Sequence, residues 1–156
     1  MACLALDQVA GRTGLIGNTD RFAEPTGNAA NMPKKSGIVL IVDDDAAVRS
    51  SLKFALELEG LSVRLYDGPA ALLADANLPR CACLVVDYRM PGMDGLRLVD
   101  TLRARDVVLP AILITGHTDK QLYYSAEIAG VGCVIEKPLS DGALIASIRS
   151  ALGICN

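Results

Sequence analysis

The 156-residue sequence contains no tryptophan, a single histidine and no long hydrophobic run. Its apolar runs, such as residues 38–42 and 111–114, are far shorter than the ~20 residues that cross a bilayer. The N-terminus carries an acidic Asp7 and no basic segment ahead of its apolar part, so it does not fit a secretory signal. We therefore expect a cytoplasmic protein without a membrane partner.

The sequence also lacks an excess of basic residues. Its formal net charge is −3, which provides no positive field for nucleic acid or anionic lipid. Hydrophobic residues make up 51% of the chain and charged residues 21%, which is typical of one folded domain with a full core. Direct contact with nucleic acid is therefore not expected.

The five cysteines are odd in number, and no export signal points to an oxidising compartment, so disulfide bonds are not expected. Cys81 and Cys83 stand two residues apart, which places both on one face of a predicted strand. A zinc site would need a second pair of ligands at suitable spacing, and none follows. We expect both side chains to be buried in packing.

Residues 1–36 are interrupted by glycine and proline and show no sustained apolar period, so they are predicted to be a flexible leader. The domain is predicted at residues 37–156, where apolar runs of strand length alternate with stretches of helical period. The predicted strands are 38–42, 62–66, 82–86, 111–114 and 133–135, and the predicted helices are 46–59, 69–76, 96–105, 119–129 and 140–152.

Five strands that alternate with five helices predict an α/β fold of the (βα)5 type. The near-continuous apolar strands suit a parallel sheet that is covered on both faces. We expect a doubly wound, flavodoxin-like three-layer sandwich with strand order 2-1-3-4-5.

Polar side chains stand at the carboxyl ends of four predicted strands. In open parallel sheets, ligands bind at this edge, where the strand order reverses. We therefore expect one pocket there. It is predicted to contain Asp43 and Asp44 after the first strand, Asp87 after the third, Thr115 after the fourth and Lys137 after the fifth.

Clustered carboxylates repel one another unless a cation neutralises them. Mg²⁺ prefers oxygen ligands and needs only one or two carboxylates beside water and phosphate oxygens. The predicted metal ligands are therefore Asp43, Asp44 and Asp87, with the backbone carbonyl of Arg89 as a further oxygen.

The remaining polar groups of the pocket suit an anion. Lys137 offers a compact ammonium and Thr115 a hydroxyl, a combination that fits a phosphoryl group held against the metal. Asp87 would then be the nucleophile that forms an acyl phosphate.

Four motifs occur in order: VDDD, which contains Asp43 and Asp44; VVDYRMPGMDGL, which contains Asp87; ITG at Thr115; and EKP at Lys137. Through these motifs the sequence resembles a response-regulator receiver domain of two-component signalling. The resemblance covers residues 38–152. The segments IVDDDAAVRSSL and ITGH resemble the nitrogen-fixation regulator branch, whose members usually carry a helix-turn-helix output domain. None is recognised here, so a stand-alone receiver is expected.

The resemblance implies that Asp87 accepts a phosphoryl group from a sensor histidine kinase or a histidine phosphotransfer protein. It implies that Asp43 and Asp44 organise Mg²⁺, that Thr115 senses the phosphoryl group and that Lys137 contacts it. The protein would signal through altered protein–protein interaction rather than act as an enzyme on an external substrate.

The resemblance also implies a cis peptide bond at Lys137–Pro138 and an output face made of the fourth helix, fifth strand and fifth helix. That face would bind a downstream protein, which the sequence does not identify, or a second copy of the chain. Val134 stands where the family usually has an aromatic residue that couples to the threonine. For Tyr123 and Tyr124, on the fourth helix, packing is favoured over a place on the signalling face.

Two other functions stay open. A Mg²⁺-dependent phosphohydrolase with an aspartate nucleophile would place a second catalytic aspartate two residues after the first, with threonine or valine near by. The segment Asp43-Asp44-Asp45-Ala46-Ala47 fits that pattern poorly, and no substrate-capping insertion is seen in the sequence. A receiver-like binding module that is independent of phosphorylation is made credible by Val134.

Several polar residues near the motifs have simpler interpretations. Asp45 is expected to cap the first helix rather than bind metal. His117 is expected to be a solvated loop residue, and Asp94 and Gly95 a turn and helix start. Arg49 is expected on a solvated helix face rather than at the pocket.

Overall fold

The structure is a computed structural model that describes residues 37–153. The predicted leader at residues 1–36 lies outside the described residues, as do residues 154–156. No helix within 37–153 is both long and apolar enough to cross a membrane.

Strands and helices alternate along the described chain, as the sequence predicts. The strands are β1 (Ile38–Val42), β2 (Ser62–Tyr66), β3 (Ala82–Asp87), β4 (Ala111–Thr115) and β5 (Cys133–Glu136). The helices are α1 (Ala46–Leu58), α2 (Pro69–Ala74), α3 (Gly95–Ala104), α4 (Lys120–Ala129) and α5 (Asp141–Gly153). All strand pairs are parallel, and the order is β2-β1-β3-β4-β5. The predicted fold and strand order are confirmed.

The sheet is the middle layer between two hydrophobic clusters, because successive strand residues point to opposite faces. Helices α1 and α5 cover one face, and α2, α3 and α4 cover the other. The first cluster includes Val39, Ile41, Val85, Ile112, Leu56 and Ile148, and the second includes Leu40, Val42, Leu84, Val86, Leu98 and Leu122. Strand β3 lies in the centre of the sheet and all six of its residues are buried.

Two central strands extend one residue further than predicted, and these extra residues belong to the pocket. Asp87 pairs with Ile114 in the ladder, and Thr115 pairs with Glu136. The ladder continues because the N–H of Lys137 donates to the carbonyl of Thr115 at 2.8 Å. Both pocket side chains are therefore fixed to paired backbone rather than to a loop.

The predicted end of α2 at Ala76 is wrong, since the helix stops at Ala74. Asp75 adopts an extended backbone with ψ of 107°. Its carboxylate accepts the N–H of Asn77 at 2.8 Å and the hydroxyl of Tyr66 at 2.7 Å. These local hydrogen bonds compete with the helical ones and end the helix.

The prediction of buried packing holds for Cys83 but is wrong for Cys81. Cys83 lies within β3 and is fully buried against the α1 and α5 side. Strand β3 begins only at Ala82, so Cys81 precedes it and is exposed.

The packing interpretation of the two α4 tyrosines is also wrong. Tyr123 and Tyr124 are 50% and 62% exposed, because α4 buries the face formed by Leu122, Ala126 and Ala129.

The two faces of the helices predict a matched pair of stability effects. Replacing the fully buried Ile148 by alanine should lower the free energy of unfolding by about 2–4 kcal/mol. The smaller side chain leaves a cavity in the core that the surrounding residues fill only in part. The same change at Ile128, which is 70% exposed on α4, should alter it by less than about 0.5 kcal/mol. Urea unfolding followed by circular dichroism measures both. Equal losses would contradict the assigned burial.

Candidate functional site

Three carboxylates meet at the carboxyl edge of the sheet. Asp87 ends β3, and Asp43 and Asp44 follow β1, its neighbour in the sheet. One oxygen from each carboxylate lies within 4.8 Å of the others. Asp43 and Asp87 are buried, with 3% and 8% exposure, whereas Asp44 is exposed. The strand order thus brings together residues that are more than forty positions apart in the sequence.

The loop after β1 is ordered by hydrogen bonds to its own acidic residues. The carboxylate of Asp43 accepts the N–H of Asp45 at 2.9 Å. Asp45 in turn caps α1, because its carboxylate accepts the N–H groups of Ala47 and Val48. Asp45 is therefore the helix cap that the sequence indicates.

Lys137 is the cation that faces this acidic site. Its Nζ lies 3.5 Å from Oδ1 of Asp87. It leaves the end of β5, and the Lys137–Pro138 peptide bond is cis, as the family resemblance implies. The carboxylate of Asp87 also accepts the backbone N–H of Arg89.

Burial governs the protonation of both buried carboxyls. It raises the pKa of Asp43, and the charge of Asp87 raises it further, while the N–H of Asp45 acts in the opposite direction. Burial likewise raises the pKa of Asp87, although Lys137 lowers it through charge and hydrogen bonding. Both pKa values therefore lie above the ordinary value for aspartate, and one ammonium does not offset the three negative charges.

The donor set fits a hard divalent cation such as Mg²⁺. The three groups offer only carboxylate oxygens, which are the ligands that Mg²⁺ prefers. The pKa values of Asp43 and Asp87 are raised because their negative charges are buried close to other carboxylates. A bound cation would offset those charges. Arg89 contacts Asp87 through its backbone N–H, and its carbonyl as a metal ligand stays a prediction.

Thr115 is buried at the end of β4, next to the segment that carries Lys137. Its hydroxyl donates to the carbonyl of His117 at 2.8 Å and accepts the N–H of the same residue at 3.3 Å. His117 is itself exposed, as expected for a loop residue. Val134 lies in the edge strand β5, paired with Leu113, and packs half-buried against the core.

The sequence interpretation misplaced Arg49. Its guanidinium donates to the backbone carbonyl of Asp43 at 2.7 Å, so the favoured solvated-face interpretation is wrong. Helical side chains lean toward the N-terminus, so a long side chain in the second turn of α1 reaches back over the first. That geometry could have indicated the contact from the sequence.

Gly95 carries a constraint that the turn interpretation did not include. Asp94 caps α3 by accepting the N–H of Arg97, and Gly95 is the first residue of the helix. A Cβ atom on Gly95 would lie 2.6 Å from the carbonyl oxygen of Asp87 and 2.8 Å from the side chain of Leu113. Glycine is therefore needed here for close approach to the backbone of Asp87, not only for a turn.

The fold and this site together define a class: a doubly wound α/β protein with an acidic site and a lysine where the strand order reverses. Residues 39–149 match the family described as the response regulator receiver domain. The chain belongs to this family, in which phosphorylation on aspartate is general.

Comparison with individual proteins agrees with this assignment. The chain is 45% identical over 116 residues to the transcriptional regulatory protein FixJ of Azorhizobium caulinodans, covering 74% of this chain and 54% of FixJ. It is 40% identical over 116 residues to the C4-dicarboxylate transport transcriptional regulatory protein DctR of Rhodobacter capsulatus, covering 73% and 59%. It therefore spans somewhat more than half the length of these relatives.

Solved structures show the same fold. The crystal structure of FixJ-N superposes with a TM-score of 0.70 at 39% identity, covering 75% of this chain and 94% of that one. The chemotaxis protein CheY4 of Vibrio cholerae superposes with a TM-score of 0.69, covering 74% and 98%. Its identity is 24%, so it supports the fold alone.

Gly95→Ala should destabilise the protein by about 1–2 kcal/mol, because the new methyl group collides with the backbone of Asp87 and overpacking outweighs the better helix propensity of alanine. Gly142→Ala is the matched control, since it lies in the first turn of α5 with open space around it. That variant should be unchanged or up to about 1 kcal/mol more stable. Similar effects of both changes in urea unfolding would refute the close-approach argument.

Asp43→Asn should raise the Tm of the metal-free protein by about 3–6 °C at pH 7.5, because it removes a buried charge from a repelling cluster. A carboxyl whose pKa is raised by folding stabilises the protein below its unfolded pKa, and this contribution is lost as pH rises through the folded value. The gain should therefore shrink toward pH 4. Thermal melts in chelator at both pH values measure it, and a lower Tm at pH 7.5 would show that the hydrogen bond to Asp45 dominates.

Proposed function

We propose that this chain is a phosphoacceptor receiver in which Asp87 takes a phosphoryl group from a phosphohistidine. The donor would be a sensor histidine kinase or a histidine phosphotransfer protein. The observation that carries the proposal is the position of Asp87 at a strand end, in an acidic cluster and 3.5 Å from Lys137. Membership of the receiver family supports it.

In the proposed transfer, a carboxylate oxygen of Asp87 forms the new bond to phosphorus. The phosphorus–nitrogen bond to the donor imidazole breaks, and the electron pair remains on that nitrogen, which then takes up a proton. Lys137 stabilises the negative charge on the transferred oxygens as a fixed ammonium beside the acceptor. The N–H of Arg89 holds the carboxylate in place.

Asp43, Asp44 and Asp87 are the residues that would hold Mg²⁺, with the carbonyl of Arg89 as the fourth protein ligand. When bound, the cation would offset the charge of the phosphoryl oxygens and of the carboxylates. The protein's own contribution is to fix Asp87 on a paired strand end and Asp43 directly after the neighbouring strand, so that little rearrangement is needed during transfer.

Thr115 is the proposed sensor of the phosphoryl group. Its hydroxyl donates to the carbonyl of His117, so contact with a phosphoryl oxygen requires it to exchange that bond. The exchange changes the hydrogen bonding of the loop between β4 and α4.

We propose that the output is a protein–protein interaction on the face of α4, β5 and α5. Tyr123, Tyr124 and Ile128 are exposed on α4 and offer apolar area to a partner or to a second copy of the chain. Since FixJ and DctR are transcriptional regulatory proteins, control of transcription is the output class that the similarity favours. The net charge of −3 provides no overall positive field for nucleic acid.

Asp87→Asn should abolish labelling by acetyl phosphate in the presence of Mg²⁺, because an amide cannot form the acyl phosphate. Asp100→Asn, which removes an exposed aspartate from α3, is the matched control and should label like the wild type. Intact mass spectrometry detects one added phosphoryl group, and chelation of Mg²⁺ should prevent its addition. Undiminished labelling of Asp87→Asn would exclude this acceptor.

The labelled and unlabelled proteins also test the two other functions, a phosphohydrolase and a binding module. Sustained turnover of phosphate esters would indicate a phosphohydrolase. Equal affinity of a captured partner for the labelled and unlabelled forms would indicate a binding module that does not depend on phosphorylation, for which the aliphatic Val134 is the motivating residue.

A further inference from the structure

The loop that carries the acidic pair is held by three hydrogen bonds to Asp43. Its N–H donates to the carbonyl of Tyr66 on β2 at 3.3 Å. Its carboxylate accepts the N–H of Asp45 at 2.9 Å, and its backbone carbonyl accepts a guanidinium N–H of Arg49 at 2.7 Å. The bond from Arg49 is the shortest of the three and has a charged donor, which makes it the strongest kind.

The contact with Arg49 controls a particular peptide plane. The carbonyl of Asp43 belongs to the planar unit that links it to Asp44, so fixing its direction also fixes the N–H and Cα of Asp44. Within residues 37–153, Arg49 forms no salt bridge, so its charge is directed at this carbonyl rather than at a carboxylate. Arg49 is half-buried on α1.

We propose that Arg49 is a positioning residue of the acidic site: by holding the peptide between Asp43 and Asp44, it sets the relative geometry of the two carboxylates and thereby the affinity for Mg²⁺. This inference rests on the proposed function. Arg49 touches neither the phosphoryl group nor the metal in that scheme and acts only through the acidic pair. Groups that orient metal ligands from behind change metal affinity by roughly 10–100-fold when removed.

The test is the affinity of the metal-free protein for Mg²⁺, measured by isothermal titration calorimetry. Arg49→Met keeps the aliphatic stem and the helix propensity but removes the donor, so the Kd should rise by about tenfold or more. Arg49→Lys should recover part of the affinity, because an ammonium can donate to the same carbonyl. Lys53→Met is the matched control. It removes an equal charge from α1, where Lys53 pairs with Glu57 away from the loop, and it should leave the Kd unchanged.

Two other results of the Mg²⁺ titration would contradict the positioning role of Arg49. Tighter binding by Arg49→Met would show that the guanidinium acts only by repelling the cation, and unchanged binding would show a solvated side chain; either overturns the proposal. Amide hydrogen exchange supplies a readout without metal. The N–H of Asp45, which donates to the carboxylate of Asp43, should exchange faster in Arg49→Met than in Lys53→Met. Equal exchange would also count against positioning.

Failure of this inference is separable from failure of the proposed function. If the wild type binds Mg²⁺ in an Arg49-dependent manner but is not labelled on Asp87 by acetyl phosphate, the phosphoacceptor assignment fails and the positioning role stands. If the wild type is labelled and its affinity for Mg²⁺ does not depend on Arg49, only the positioning role fails.

Discussion

The central constraint in this molecule is the burial of two carboxylates beside a single ammonium. Asp43 and Asp87 are both buried, and Lys137 forms an ion pair with Asp87, its Nζ lying 3.5 Å from the carboxylate. Such an arrangement costs stability, because desolvated like charges repel. It persists because both acids are attached to central strands whose apolar residues are almost entirely buried on the two faces of the sheet.

The neighbouring contacts keep these charges in place without neutralising them. Lys137 is tied to β4 by the hydrogen bond from its N–H to Thr115, which brings its ammonium to the same edge as Asp87. Gly95 lets α3 begin against the backbone of Asp87, and Arg49 holds the carbonyl of Asp43. The residual negative charge suits a divalent cation.

The sequence predicts the strands to within one residue, because a buried parallel strand is an uninterrupted apolar run whose end is marked by the first polar residue. The site follows from the same signal, since Asp43, Asp87 and Lys137 each stand at such an end. The exact end of α2 was less accessible, because it depends on hydrogen bonds that Asp75 forms with Tyr66 and Asn77. Those partners are known only once β2 and α2 are packed together.

Side-chain environments were harder to predict than backbone elements. Tyr123 and Tyr124 were expected to pack because tyrosine usually does, but the direction of α4 is set by Leu122 and its helical neighbours, which leaves the tyrosines outside. The environment of Arg49 depends on how the β1–α1 loop turns back over the helix. The orientation of α4 is not a local feature of the sequence, and the helical position of Arg49 indicates the reach of its side chain but not the carbonyl that it meets.

Position 134 is a valine, so no aromatic side chain there connects the site to the exposed face of α4, and other contacts do so. The loop after β4 provides one. Thr115 bonds to the carbonyl of His117, and two residues later Asp119 caps α4 by accepting the N–H of Leu122 at 2.7 Å. The hydroxyl of Thr115 and the cap of α4 therefore lie on one short segment of backbone.

A second connection crosses from the same loop to β5. The hydroxyl of Thr118 donates to the carboxylate of Glu136 at 2.8 Å, and Glu136 immediately precedes Lys137. The loop is thus joined to the strand end that carries the lysine by a polar contact on the surface, whereas Val134 packs inward against the core. The hydrogen bonds of this loop therefore connect the Thr115 end of β4 to both α4 and β5 without involving Val134.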